Sequence, residues 1–170
     1  IPFASFANQP YVNAYGEEEE NVGGNFFGRL AYNMLSPGYY ENRNLNPLQE
    51  ELKRLDSDES IETNFLPTRP NKSYDGERLS PKDYTQYAEA VGGMYTDISN
   101  ALISDPNYQT LSDADKAEVI NKVKGFSNAK AKHDLFDADY SSTYSKMAEA
   151  YESGDVDGLV NYLLDEATTS

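Results

Sequence analysis

Residues 80–126 read SPKDYTQYAEAVGGMYTDISNALISDPNYQTLSDADKAEVINKVKGF, and this stretch decides the fold. The pattern of a serine followed three residues later by an acid occurs twice in it, as SPKD at residues 80–83 and as SDAD at residues 112–115. Each copy stands at the start of a long amphipathic segment. A serine followed three residues later by an acid is typical of a helix N-terminus, because the serine oxygen accepts a backbone N–H of the first turn. The stretch therefore predicts two long helices paired as a hairpin over about residues 80–135.

Both segments carry apolar residues at the i, i+3, i+4 spacing of a helix. In the first segment these are Tyr84, Tyr87, Ala88, Val91, Met94, Tyr95, Ile98 and Leu102, and in the second Val119, Ile120, Val123 and Phe126. The pair Gly92-Gly93 costs roughly 1 kcal/mol per glycine in helix propensity, which indicates a kink or the close approach of another helix. The second segment also holds several lysines, which we expect to pair with acids on neighbouring helices.

Further helices are predicted on both sides of this hairpin. Asn46-Pro47 is typical of a helix start, and Leu48, Leu52 and Leu55 follow as one stripe. The remaining helices are predicted at residues 25–35, after an N-cap at Asp137-Ala138-Asp139 with a stop at Ser153-Gly154, and at residues 156–167. Residues 61–66 are compatible with a short strand, and residues 73–77 with a turn.

The predicted fold class is therefore mostly α. We expect a helical bundle built on the long hairpin, with an extended N-terminal arm and at most one small β-hairpin. The arm spans residues 1–24 and the helical domain spans residues 25–170.

Composition excludes several classes of function. The chain of 170 residues has a net charge of −15 and no cysteine. A nucleic-acid-binding face needs clustered Lys and Arg, and an excess of acidic over basic residues this large argues against such a face, so we expect no direct nucleic-acid binding. No run approaches the roughly 18 apolar residues of a membrane-spanning helix. The chain starts at Ile1 without a signal-peptide pattern, which we interpret as a processed chain or part of a longer polypeptide.

The arm is acidic and aromatic. Its run of four glutamates at residues 17–20 is typical of a solvated segment, with a metal-binding or basic-partner tail as the alternative. Aromatic side chains in the arm and just after the first predicted helix are suited to holding the chain onto another surface. The candidate partner contacts are Phe3, Phe6, Tyr11, Tyr15, Tyr39 and Tyr40.

Candidates for catalysis or metal binding are few. His133 is the single histidine, and its place near a helix end is typical of a partner of the helix dipole rather than a general base. Glu89 is the least implausible catalytic acid, which would require an apolar pocket. Residues 153–158 alternate oxygen-bearing side chains as a calcium loop does, but the match fails over the full loop. Its first position requires an acid and its twelfth a glutamate, and these positions hold Ser153 and Leu164. We therefore expect no catalytic, cofactor-binding or metal-binding residue and no cofactor.

Four motifs together resemble a known group of proteins. They are SPGYY at residues 36–40, NPLQEELKRL at 46–55, LSPKDYTQY at 79–87 continuing to Gly92, and NYQTLS at 107–112. The stretch from about residue 25 to 133 resembles a helical region of very large tailed-phage and prophage proteins, of the internal virion, ejection or tape-measure-like kind. Their enzymatic work tends to lie in separate domains, so the resemblance implies a structural or packing role and transfers no site residue.

The resemblance leads to one functional expectation, and the residues themselves leave two alternatives. The first is a non-enzymatic structural module of a phage particle, a fragment of a longer protein that contacts other virion proteins or copies of itself. Its location would be the virion, with the host cytoplasm as the alternative. The second hypothesis is a stand-alone acidic binding or inhibitor protein that binds a basic partner. The third is a small hydrolase whose carboxylate pair the sequence does not reveal.

Overall fold

A computed structural model describes residues 46–169, and these residues are mostly helical. They form six α-helices and one two-stranded antiparallel sheet, which confirms the predicted fold class. The elements are α1 (Asn46–Asp56), β1 (Ser73–Tyr74), β2 (Glu77–Arg78), α2 (Pro81–Ile103), α3 (Pro106–Gln109), α4 (Asp113–Phe136), α5 (Ser145–Glu152) and α6 (Val156–Thr169), with 3-10 turns at Thr63–Phe65 and Ser142–Tyr144. The predicted arm at residues 1–24 and the predicted helix at 25–35 lie outside the described residues.

The described residues divide into two compact units. The first contains residues 67–93, and the second contains residues 46–66 together with 94–169. Helix α2 contributes its first half to the first unit and its second half to the other.

The first unit is a tight β-hairpin followed by the capped start of α2. Asp75 and Gly76 connect the two strands with φ angles of 53° and 82°, the positive values that a two-residue hairpin turn requires. Strand residue Ser73 pairs with Arg78 in this hairpin. The Ser80 hydroxyl then accepts the backbone N–H of Asp83 at 3.1 Å, which confirms the first predicted cap.

The core of the second unit forms from the predicted apolar stripes. Helix α1 buries its three leucines completely, and α4 does the same with its central apolar residues. The fully buried stripe residues of these two helices are Leu48, Leu52, Leu55, Ile120, Val123 and Phe126. Ser112 accepts the backbone N–H of Asp115 and so confirms the second predicted cap.

Residues 61–66 do not form the predicted strand. They contain a 3-10 turn at Thr63–Phe65, which buries Phe65 and leaves Asn64 exposed. Two backbone carbonyl groups of this segment face side-chain donors: the Asn64 carbonyl oxygen accepts from Lys124 at 2.9 Å, and the Phe65 carbonyl oxygen lies 3.5 Å from the Tyr95 hydroxyl. At these two carbonyl groups, side-chain donors take the place of the backbone hydrogen bonds that a strand would form with its neighbour.

The prediction that Asp137-Ala138-Asp139 starts a helix is wrong. Asp137 ends α4 instead, in a left-handed conformation (φ 58°) with its N–H directed to the carbonyls of Lys132 and His133. Aspartate tolerates this conformation better than most residues, so it serves as a C-terminal cap. The following turn is capped by Ser141, and Gly154 (φ 78°) closes α5 at the predicted stop.

Candidate functional site

The predicted partner contacts cannot be placed in the fold. Phe3, Phe6, Tyr11, Tyr15, Tyr39 and Tyr40 all lie outside the described residues. The candidate sites below therefore come from side-chain clusters within residues 46–169, all of them in the second unit.

The densest polar cluster joins α1, α3 and the start of α4. The buried Tyr108 donates its hydroxyl to the Glu51 carboxylate. Arg54 binds the same carboxylate through two N–H groups, each at 3.0 Å, and reaches Asp113 with a third at 3.0 Å. Lys116 lies 5.3 Å above the Tyr108 ring, close enough for a cation–π contact. We call these five residues the Glu51 cluster.

The contacts in the Glu51 cluster fix the protonation state of its central pair. Burial opposes ionisation of Glu51, but hydrogen bonds from Arg54 and Tyr108 outweigh it and lower the pKa of Glu51 below its usual value of 4.5. Burial and the hydrogen bond to Glu51 raise the pKa of Tyr108 above its usual value of 10.0. Near neutral pH the carboxylate is ionised and the phenol is protonated, so neither group is poised for proton transfer. The cluster is suited to clamping three helices together.

A second cluster surrounds Lys130 on α4. The Lys130 ammonium is almost fully buried and lies 2.7 Å from Asp134 and 3.4 Å from Glu152 of α5. Burial disfavours the charged ammonium, but hydrogen bonds and attraction from the two carboxylates outweigh it and raise the pKa of Lys130. The partner in α5 agrees with the expectation that the lysines of this helix pair with acids on neighbouring helices.

The structure places each of the candidate catalytic and metal-binding residues named from the sequence, and two of them, His133 and Asp155, make contacts at helix ends. The Nδ1–H group of His133 donates to the Ala138 carbonyl oxygen at 2.9 Å, and the His133 ring packs edge-on against Tyr140. Glu89 is exposed on α2, whereas a raised-pKa catalytic acid requires an apolar pocket. In the segment tested as a calcium loop, Asp155 accepts the backbone N–H of Gly158 at 2.9 Å and so caps α6.

A groove runs between α4 and α6. It is about 160 Å³ in volume and is lined by Asp115, Glu118, Val119, Lys122, Leu163, Glu166 and Ala167. Lys122 lies 2.8 Å from Glu166 and 5.7 Å from the centre of the Tyr162 ring. Hydrogen bonds from Lys122 and Tyr162 lower the pKa of Glu166. The groove is smaller than the roughly 300–1,000 Å³ of typical small-molecule sites, so it is suited to a single side chain.

Sequence reasoning missed both the Glu51 cluster and the groove. The sequence pattern assigns Glu51 no role beyond its place in the predicted helix of residues 46–55, and its partner Tyr108 lies 57 residues away. The pair Glu51 and Arg54, three residues apart, was the one local signal available.

Comparison with known proteins adds no relative. No family model, no curated protein and no solved structure matches the chain. Among the described residues, no helix is long and apolar enough to cross a membrane, and no group of three or more possible metal ligands occurs.

Proposed function

We propose that this chain is a non-enzymatic structural module of a phage particle, part of a longer internal or tail-associated virion protein. One observation supports a structural role above all others. Several of the residues that carry the resemblance, where they are described, belong to the core or cap the long helices. Leu48, Leu52, Leu55, Tyr84, Tyr87 and Tyr108 are buried, and Ser80 and Ser112 cap the two long helices.

The clusters of charged residues support the same role. The Glu51 cluster joins three helices, and Lys130 joins α4 to α5. These side chains are engaged with one another in contacts that hold helices together. A module of this kind would serve as a helical element among other virion proteins or copies of itself.

The proposal is tested on particles purified from the organism that encodes the chain. Density-gradient fractions are digested and searched by mass spectrometry for peptides from residues 46–169, with an abundant host protein as the contamination control. We expect these peptides to follow the major capsid protein through the gradient. We also expect them to derive from an open reading frame much longer than 170 codons, beside capsid or tail genes.

Two results would overturn the proposal. One is a free-standing gene that encodes only this chain, with its product in the lysate and absent from particles. That result would favour the stand-alone acidic binding protein. The other is a distribution that follows the host control protein through every fraction.

A further inference from the structure

We infer that the groove between α4 and α6 is a docking site for an arginine- or lysine-bearing segment of another protein. The occupant is one basic side chain, with its aliphatic stem on the groove floor and its charged head at the acidic rim. This inference goes beyond the assembly role proposed above and does not depend on the chain belonging to a phage particle.

The rim of the groove carries two carboxylates that no other described residue neutralises. Asp115 and Glu118 line the groove from α4, three residues apart and therefore on the same side of the helix. Among residues 46–169, neither carboxylate has an ion pair. The usual partner of Glu118 would be Lys122, four residues on, but the Lys122 ammonium lies at Glu166 instead. The groove therefore keeps an excess of negative charge.

The floor of the groove is apolar. Val119 and Leu163 are buried, and Ala167 lies one helical turn beyond Leu163. Long basic side chains favour such a place, because their methylene groups cover apolar surface while the head stays in water. An acidic side chain would be repelled by the rim, and a purely apolar one would gain nothing from the two carboxylates.

The groove already holds one basic side chain of the chain itself. Lys122 is half-buried there, hydrogen-bonded to Glu166 and placed near the face of Tyr162. This arrangement is the same chemistry that we assign to the partner, a cation between a carboxylate and a ring or aliphatic surface. The net charge of −15 adds attraction for a basic partner over a longer range.

The probe for the test is the peptide acetyl-Ala-Leu-Arg-Lys-Ala-amide, titrated into the full chain labelled with ¹⁵N at low salt. The matched control peptide replaces arginine by citrulline and lysine by norleucine, which removes both charges and keeps the shape. We expect amide shifts from the basic peptide to concentrate at residues 115–122 and 163–167, and to weaken as salt is added. We expect none from the control peptide.

Three variants separate the groove from the general negative charge. Glu118→Gln is expected to raise the Kd for the basic peptide about two- to fivefold, the range of an exposed ion pair. Lys122→Met removes the resident cation and is expected to lower the Kd by a similar factor. Glu149→Gln removes one exposed carboxylate from α5 and is expected to leave the Kd within about 1.5-fold. Thermal unfolding verifies that each variant is folded.

The inference is overturned by any of three results. The first is an equal weakening by Glu118→Gln and Glu149→Gln, or shifts spread over the whole acidic surface, since either would show general charge attraction only. The second is no binding of the basic peptide. The third is groove shifts that depend on the concentration of the chain itself, with dimers in sedimentation that Glu118→Gln dissociates, because the occupant would then be a second copy.

Discussion

At the scale of single residues, Glu51 has the clearest consequence for stability. Its carboxylate is largely buried and accepts hydrogen bonds from both Arg54 and the Tyr108 hydroxyl. These contacts exist only in the folded chain, so the pKa of Glu51 is lower in the folded state than in the unfolded state. The carboxylate therefore stabilises the fold above its unfolded pKa of about 4.5, and this contribution is lost as the pH falls through the folded pKa.

The substitution Glu51→Gln tests this linkage. At pH 7 we expect it to lower the free energy of unfolding by about 1–3 kcal/mol, the range for hydrogen bonds to a charged group. As the pH falls below about 4.5 the unfolded chain takes up a proton at Glu51 first, and once the pH has passed through the lower pKa of the folded state wild-type Glu51 is protonated as well. The difference between the two proteins should therefore begin to shrink below about pH 4.5 and approach zero below the folded pKa. Urea unfolding at several pH values between 3 and 7 measures both quantities.

The neighbouring Glu50→Gln is the matched control. Glu50 is exposed, and none of the described residues forms an ion pair with it, so its loss is expected to change stability by less than about 0.5 kcal/mol. A difference between Glu51→Gln and wild type that stays constant from pH 7 to pH 3 would contradict the role of the ionised carboxylate.

At the scale of elements, Gly125 lies where α4 contacts Tyr144, in the turn before α5. A Cβ atom at this position would lie 2.5 Å from the Tyr144 hydroxyl oxygen, which is too close, but 3.6 Å from the ring carbon that bears it. The Tyr144 ring also packs edge-on against Phe126, with 5.9 Å between the ring centroids. The hydroxyl oxygen of Tyr144, and not its ring, is therefore what leaves no room for a Cβ atom at position 125.

This geometry predicts that the effect of Gly125→Ala on stability depends on residue 144. The substitution should destabilise the wild-type chain and stabilise the Tyr144→Phe variant. In the wild-type chain we expect a loss of about 1 kcal/mol or more in unfolding free energy, because the methyl group overpacks the contact. In a Tyr144→Phe background the hydroxyl is gone, and the same change should stabilise α4 by up to about 1 kcal/mol through helix propensity. A double-mutant cycle measured by thermal or urea unfolding gives the coupling.

The single variant Tyr144→Phe is the control for this cycle. Within residues 46–169 no hydrogen bond involves the Tyr144 hydroxyl, so its removal is expected to change stability by less than about 0.5 kcal/mol. Equal effects of Gly125→Ala in both backgrounds would show that the hydroxyl is not what constrains the glycine.

The elements also explain how far the sequence could predict this fold. Stripes such as Leu48, Leu52 and Leu55, and caps such as Ser112, are local patterns, so the helices could be predicted from neighbouring residues alone. The prediction for Asp137 is wrong, because an aspartate can cap either end of a helix and only the backbone conformation decides which.

The candidate site depends on contacts between distant residues. The Glu51–Tyr108 hydrogen bond and the Lys122–Glu166 ion pair join residues 57 and 44 positions apart. One sequence gives no register between two helices, so it could not indicate that these partners meet. The sequence identifies these acids and lysines, but it does not indicate which residues they contact.

At the scale of the whole molecule, the excess of negative charge acts in two ways. A net charge of −15 favours solubility and attracts basic partners, and it also destabilises the compact state through repulsion among like charges. The ion pairs of the Glu51 cluster and of Lys130 offset part of this repulsion locally. Carboxylates such as Glu118 have no such partner within the described residues, and this is the same property that the proposed docking groove uses.

We therefore expect salt to stabilise this protein. Raising NaCl from about 20 to 300 mM shortens the Debye length to below 10 Å and screens the repulsion, whereas the exposed ion pairs that it also weakens contribute little. The expected result is a rise in Tm of several degrees, since about 1 kcal/mol corresponds to 2–4 °C in a domain of this size. Differential scanning calorimetry measures it, with tetramethylammonium chloride at equal ionic strength as the control for specific sodium binding. A Tm that falls with both salts would mean that the ion pairs, and not the repulsion, dominate the electrostatics of the fold.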